Sequence, residues 1–314
     1  MSFELKFHSN ITMSLMQQLL AKGNEIKANS IALSSKQAYQ SCLNVYEDIL
    51  TNTIQEDPYP ITENKIIAFI VYQKETNNRS YSTLKQYIQA FSSYFKDHDV
   101  DNIVLSMSFK IFKNGLRREM SGGYCPKAKK PFDPAWFNLI YESIPPTNAP
   151  DQKFFFLMTL SFYCFLRISE VINLKKSDLK YDDEKEILKV HISCSKTDQD
   201  HTGADTYVTK NNSLNCPINY MNFLQNLRDD EFICNNTYYL RQHLHAILKS
   251  IGIDDVANYN WHSFRRGGAY YASLNGVQDC VIKHQGRWKS EAYIRYVSVD
   301  GVRAGNEISN ALRF

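Results

Sequence analysis

The stretch from residue 110 to 130 divides this sequence in two. It carries Lys110, Lys113, Arg117, Arg118, Lys127, Lys129 and Lys130 against Glu119 alone, and it is broken by Ser121-Gly122-Gly123 and Pro126. Paired glycines beside a proline end regular structure, so one cooperative core does not run through this point. At 314 residues the chain is long enough for a core on each side, and two domains are expected. The boundaries read as residues 1–121, a basic linker over 122–131, and residues 132–314. A hydrophobic content of 43% supplies both cores and excludes wholesale disorder.

The net charge of +3 is only mildly basic. It permits a nucleic-acid partner without demanding one, so the placement of charge matters more than its sum. A basic run is often just a solvated face. At a joint between two domains it suits a protein that closes around a phosphate backbone. The seven cysteines are scattered with no CxxC pair, which predicts reduced thiols in an intracellular compartment rather than disulfides or a structural zinc. The start, MSFELKFHSN, lacks the apolar core of a signal peptide. The longest apolar run, Phe154 to Leu166, contains Ser and Thr and ends at Arg167; it predicts a buried core helix rather than a membrane span.

The first half shows helical periodicity and no strand signal. Residues 11–28 read as a short amphipathic helix through Ile11, Leu15, Leu19, Leu20 and Ile26. Residues 34–53 carry a stripe of Ala38, Cys42, Val45, Tyr46 and Ile49. Thr62 is a candidate N-cap for residues 63–76, with Ile66, Ile67, Phe69 and Ile70 inward. Residues 80–96 form the clearest helix, with capping-box spacing at Thr83 and Gln86 and a stripe of Leu84, Ile88, Phe91 and Phe95. Residues 102–120 read as the fourth helix of a bundle. In the second half Asp133 and Pro134 open a helix over 135–143, and 152–166 form the apolar helix. A short helix follows near Val171. Residues 187–192 alternate like a strand, and 206–208 return as a second one. Residues 220–228, 237–250, 263–274 and 277–284 read as helices. The fold class is mainly α: a helical domain, then a mostly helical domain with one small antiparallel sheet.

Candidate chemistry concentrates in the second half. Arg167 ends an apolar helix, where a guanidinium needs a partner, and Glu170 three residues on supplies one. A plain surface pair is the bland alternative. His262 and Arg265 share one face of a helical turn, which suits a proton-transfer group beside an oxyanion clamp; Arg266 competes with Arg265. Lys196 stands in the turn between the two strands, where most lysines are merely exposed. Trp288 follows Gly286 and Arg287 and reads equally as a core residue. Tyr296 is a candidate nucleophile that needs a positive surrounding. Tyr293, three residues earlier, lies on a similar side, and spacing does not separate them. There is no GxxxxGK[ST] or GxGxxG loop, no HExxH, and no acidic cluster for two metals. His243 and His245 do not share a helix face. No metal or cofactor is expected.

Taken together, Arg167 in FLRISEV, Lys196 in a hairpin turn, H-x-x-R at 262–265, G-R-W at 286–288 and a following Tyr resemble the tyrosine recombinase (phage integrase-like) family. The resemblance covers the second domain almost entirely. The first domain is similar, less specifically, to the family's helical core-binding domain, mainly through SYSTLKQYIQAF at 80–91. Many bacterial members place the nucleophile nine residues after the His/Trp, which here is Val297. The eight-residue step from Trp288 to Tyr296 resembles the recombinases of eukaryotic mobile elements, the Cryptons and DIRS-like retrotransposons.

The resemblance implies a site-specific recombinase that integrates or excises a mobile element. In that reading Arg167 and Arg265 clamp the scissile phosphate and His262 assists proton transfer. Lys196 protonates the leaving 5′-oxygen, Trp288 supports the pocket, and Tyr296 forms a 3′-phosphotyrosine, with Glu170 behind Arg167. Lys85, Lys110, Lys113, Arg117, Arg118, Lys127, Lys129, Lys130, Arg266 and Arg287 are the candidate DNA contacts. Partners would be a double-stranded recombination site and further copies of the chain: a dimer on DNA and a synaptic tetramer passing through a Holliday junction, joined by the tail after Tyr296. The nucleus is implied as its location, with KAKK at 127–130 a weak signal. The alternatives are a type IB topoisomerase-like enzyme and a catalytically silent, domesticated DNA-binding protein.

Overall fold

A computed structural model of the protein describes residues 15–28, 31–121, 129–193 and 202–297. The chain divides into two compact units, Met1–Pro126 and Lys127–Phe314.

The first unit holds α1 (Leu15–Ala28), α2 (Leu33–Ile49), α3 (Glu63–Glu75), α4 (Tyr81–Asp97) and α5 (Met107–Ser121). Thr62 caps α3 by accepting from the Lys65 N–H at 3.4 Å. The Leu84, Ile88, Phe91 and Phe95 stripe of α4 is buried, and α4 packs on α2, α3 and α5. Tyr46 meets Phe69 and Phe91 edge-on at 5.4 and 4.9 Å, the favoured geometry for aromatic quadrupoles. Three expectations shift. The cap of α4 is Ser80, whose hydroxyl accepts from Thr83 N–H at 3.3 Å, so the helix begins a turn before the expected box. In α2, Leu43 is buried and Val45 exposed. The fourth bundle helix is divided: a 3-10 turn (Ile103–Leu105) precedes α5, and Ser106 caps it through Phe109 N–H at 3.0 Å. Leu15, Leu19 and Leu20 of α1 are exposed.

The second unit comprises α6 (Trp136–Ser143), α7 (Ala149–Tyr163), α8 (Ile168–Val171), β1 (Leu179–Asp182), β2 (Ile187–Ile192), β3 (Ala204–Thr209), α9 (Thr237–Ser250), α10 (His262–Leu274), α11 (Asp279–Gln285) and α12 (Ile294–Val297). The antiparallel sheet runs β1-β2-β3, with Leu188 opposite Tyr181 and Val208. Period-two alternation buries Leu188, Val190 and Ile192. β1 is a strand not expected from the sequence. The expected helix over 220–228 is a 3-10 segment (Pro217–Asn226). α7 begins three residues early because Asn148 caps Asp151 N–H at 3.0 Å and Pro150 fits the first turn.

α7 is the centre of the unit: Phe154 to Leu160 are buried on every side of the helix, as an all-apolar helix requires. α10 crosses it at close range. A Cβ on Gly267 would lie 2.3 Å from the Phe132 carbonyl oxygen, and one on Gly268 would lie 2.1 Å from that of Phe162. The Trp261 indole N–H donates to Ser161 Oγ at 2.8 Å and fixes the start of α10 on α7. No helix among the described residues is long and apolar enough to cross a membrane.

Candidate active site

The site grows from the end of α7. Cys164 closes the helix, Phe165 takes a left-handed conformation (φ 50°), and the reversed chain presents Arg167 just before α8. Glu170 fastens it. One carboxylate oxygen accepts from Arg167 Nη1 at 2.7 Å and the other from the Arg167 backbone N–H at 2.9 Å. The Glu170 side chain is 0% exposed, so this is no surface pair. Burial pushes the Glu170 carboxyl up, but the Arg287 guanidinium and the Arg167 contacts outweigh it and hold it below the usual range.

α10 delivers the next groups. Asn260 Oδ1 accepts from the His262 N–H at 2.9 Å and starts the helix. Arg265 follows one turn on. His262 Nε2 lies 2.9 Å from Tyr296 Oη. Burial, then the Arg265, Arg266 and Arg167 charges, press the imidazole down to about 4, so it is neutral near pH 7 and free to accept a proton. Arg265 is 0% exposed. It donates to the carbonyls of Phe165 and Gly286, the latter at 2.8 Å, and lies 4.1 Å from the centroid of the Trp288 ring. Burial and the Arg167 charge lower its pKa.

Trp288 is a core residue and a wall of the site at once. It folds back over Gly286, where a Cβ would strike the indole at 1.8 Å, and its ring stands 5.4 Å from that of Tyr296. The two candidate tyrosines have different surroundings. Tyr293 is buried and its hydroxyl donates to Asp279 at 3.2 Å; burial and that carboxylate push it up to about 12. Tyr296 is half-buried and meets His262, Trp288 and the Arg266 guanidinium, 5.4 Å from its ring.

The structure therefore gathers Arg167, Glu170, His262, Arg265, Trp288 and Tyr296. Lys196 lies outside the described residues, as do Lys127 and the tail after Val297. Lys85, Lys110, Arg117 and Arg118 are exposed, and Lys113 is half-buried. Lys129 donates to the Ala257 carbonyl, and Lys130 pairs with Asp255 at 2.6 Å; both ends remain at the surface. Arg287 corrects the expectation of a DNA contact. Its side chain is 8% exposed and turned inward onto Glu170 at 2.8 Å. Nothing local in Gly-Arg-Trp signals a partner more than a hundred positions away. Among the described residues no cluster of His, Cys, Asp or Glu is arranged to hold a metal.

No family model matches the sequence, and no curated protein matches it. Solved structures do. The Tn1549 transposon integrase in complex with transposon right-end DNA matches at a TM-score of 0.63 and 13% identity, over 95% of this chain and 99% of that one. The XerH site-specific recombinase in its post-cleavage complex with a palindromic difH substrate matches at 0.58 and 15%, over 96% and 90%. A lambda integrase dimer bound to a COC′ core site matches at 0.57 and 13%, over 92% and 78%. At these identities the likeness is one of fold, and the fold is that of the tyrosine recombinases.

Proposed function

We propose that the chain is a site-specific DNA recombinase working through a 3′-phosphotyrosine on Tyr296. The observation that carries this reading is the 2.9 Å contact between Tyr296 Oη and His262 Nε2, within a cluster that includes Arg167, Arg265 and Trp288. The likeness to DNA-bound integrases and recombinases supports it. Tyr296 Oη attacks phosphorus and its proton passes to the neutral His262. Arg167 and Arg265 stabilise charge on the non-bridging oxygens. The bond to the 5′-oxygen breaks, and Lys196 supplies that oxygen's proton. A 5′-hydroxyl from a partner duplex reverses the step, so rejoining needs no ATP. Integration or excision of a mobile element, a tetramer joined through the tail, and a nuclear setting complete the reading and rest on the sequence resemblance.

A duplex nicked near the cut site loses its short 5′-hydroxyl fragment and traps the covalent adduct. The wild type forms that adduct on members of a randomised pool of nicked duplexes. Tyr296→Phe forms none, and Tyr293→Phe, if folded, retains it; the reverse pattern overturns the nucleophile. Relaxation of plasmid without strand exchange assigns a topoisomerase instead, and sequence-specific binding with no adduct assigns a silent DNA-binding protein.

A further inference from the structure

Arg287 is a buried charge that the proposed chemistry does not use. Its backbone is left-handed (φ 55°), a conformation that strains a non-glycine residue and persists only where the surroundings fix it. Backbone hydrogen bonds from the Arg287 N–H to the His284 carbonyl and from the Trp288 N–H to the Lys283 carbonyl hold the turn, and the guanidinium adds ties of its own. Nη1 donates to the carbonyls of Cys164 at 3.0 Å and Gln285 at 2.9 Å, and Nη2 donates to Glu170 at 2.8 Å. Arg287 thus ties the turn that presents Arg167 to the turn that presents Trp288. Arg265 spans the same two turns through Phe165 and Gly286.

The charges matter as much as the ties. Arg167 is oriented by a fully buried carboxylate, and that carboxylate alone would cancel the positive field Arg167 offers a phosphate. A second guanidinium on Glu170 leaves the trio with one net positive charge while Arg167 stays clamped. We propose that Arg287 is a positioning residue for the phosphate site, acting through Glu170 to hold Arg167 in place without neutralising it. The inference rests on the recombinase reading for its substrate, though its geometry belongs to an oxyanion site of any use.

The arrangement predicts a rescue that a purely structural role does not give. Arg287→Met leaves a neutral Arg167–Glu170 pair, and adduct formation falls. Glu170→Gln combined with Arg287→Met restores one net positive charge, so the double variant recovers activity over Arg287→Met. Couplings within one charge network span roughly twofold to a hundredfold, and a recovery in that range is the expected result. Arg287→Lys keeps the charge with fewer carbonyl ties and stays closer to wild type than Arg287→Met. If the double variant is no better than Arg287→Met, or Lys no better than Met, the charge role is overturned. If Arg287→Met does not fold by circular dichroism, the proposal stands or falls on Arg287→Lys and the double variant, each compared with wild type and with Glu170→Gln.

Two readouts separate this proposal from the function it rests on. One is single-turnover adduct formation on a nicked duplex selected from the randomised pool; the other is stabilisation of the full chain by inorganic phosphate in thermal melts. Phosphate stabilisation that follows the rescue order, with no adduct from wild type, sustains Arg287 and overturns the recombinase. Wild-type adduct without rescue does the opposite. No adduct and no phosphate effect overturns both.

Discussion

A phenol attacks phosphorus only when its proton has somewhere to go. In the proposed reaction His262 accepts it, which requires a neutral imidazole, and burial with the Arg265, Arg266 and Arg167 charges holds its pKa near 4. Adduct formation should therefore show no loss from His262 between about pH 8 and about pH 5, and should fall as pH drops through about 4. An unperturbed histidine would place that limb near 6.5, and a limb found there in a single-turnover pH profile contradicts the buried, neutral imidazole. The same shift sets a stability window. The folded pKa lies below the unfolded value of 6.5, so the unfolded state binds more protons between the two. Stability is fully present above about 6.5 and is lost as pH falls toward about 4. Thermal melts should record that loss, and His262→Gln should remove this residue's share of it. The order of Arg, His-x-x-Arg, Trp and Tyr was legible in the sequence because each residue type has a distinct chemistry. The choice between Tyr293 and Tyr296 was not legible in their spacing, since residues three apart share a helix side. Their environments differ through Asp279 and His262, which are distant in sequence. Arg287 misled for the same reason: a charge beside a glycine reads as surface until Glu170 is found beneath it.

At the scale of elements, the site depends on how closely α10 approaches α7. Gly267 and Gly268 allow that approach, and the residues just before them, His262 and Arg265, are placed by it. Gly268→Ala sets a Cβ against the Phe162 carbonyl, an overpacking that costs about 1–3 kcal/mol. Its melting temperature should fall and its adduct yield should fall with it, because α10 moves as a body. Gly115→Ala in α5 is the control. Nothing lies within 4 Å of its Cβ position, so replacing a helical glycine there should stabilise by about 0.5–1 kcal/mol. A neutral Gly268→Ala would mean the two helices are not held at this distance. Long periodic elements such as α4 and α9 could be read from sequence because their stripes repeat over several turns. β1 could not: three half-buried residues and the exposed Lys180, within Leu179–Asp182, show no clear alternation, and only pairing with β2 makes them a strand. The 3-10 segment Pro217–Asn226 was misread as α because both bury a similar run of apolar residues.

Across the whole molecule, the exposed basic residues of α5 and the buried cluster around Tyr296 fall on different units, each with its own core. A net charge of +3 conceals this division, because acidic residues elsewhere offset the basic stretch. Under the proposed function, DNA binding and chemistry should then be separable by mutation. Arg117 and Arg118 are exposed near the end of α5, Arg118 in its last turn, so replacing both with alanine should leave the fold intact. Every phosphate that the protein no longer neutralises should lower the slope of log affinity against log salt by about 0.9, so the double variant should shed up to about 2 from that slope. Its adduct rate at saturating DNA should match wild type, because Tyr296, His262 and Arg167 are untouched. Tyr296→Phe should show the converse, with wild-type affinity and salt slope and no adduct. Fluorescence anisotropy over a salt series and single-turnover trapping on one selected duplex measure the two properties independently. An Arg117/Arg118 variant with an unchanged salt slope would assign the basic stretch to solvent and move the DNA-binding surface elsewhere. A variant whose saturated rate also fell would show that the basic residues help to set the geometry at the phosphate as well as hold the duplex.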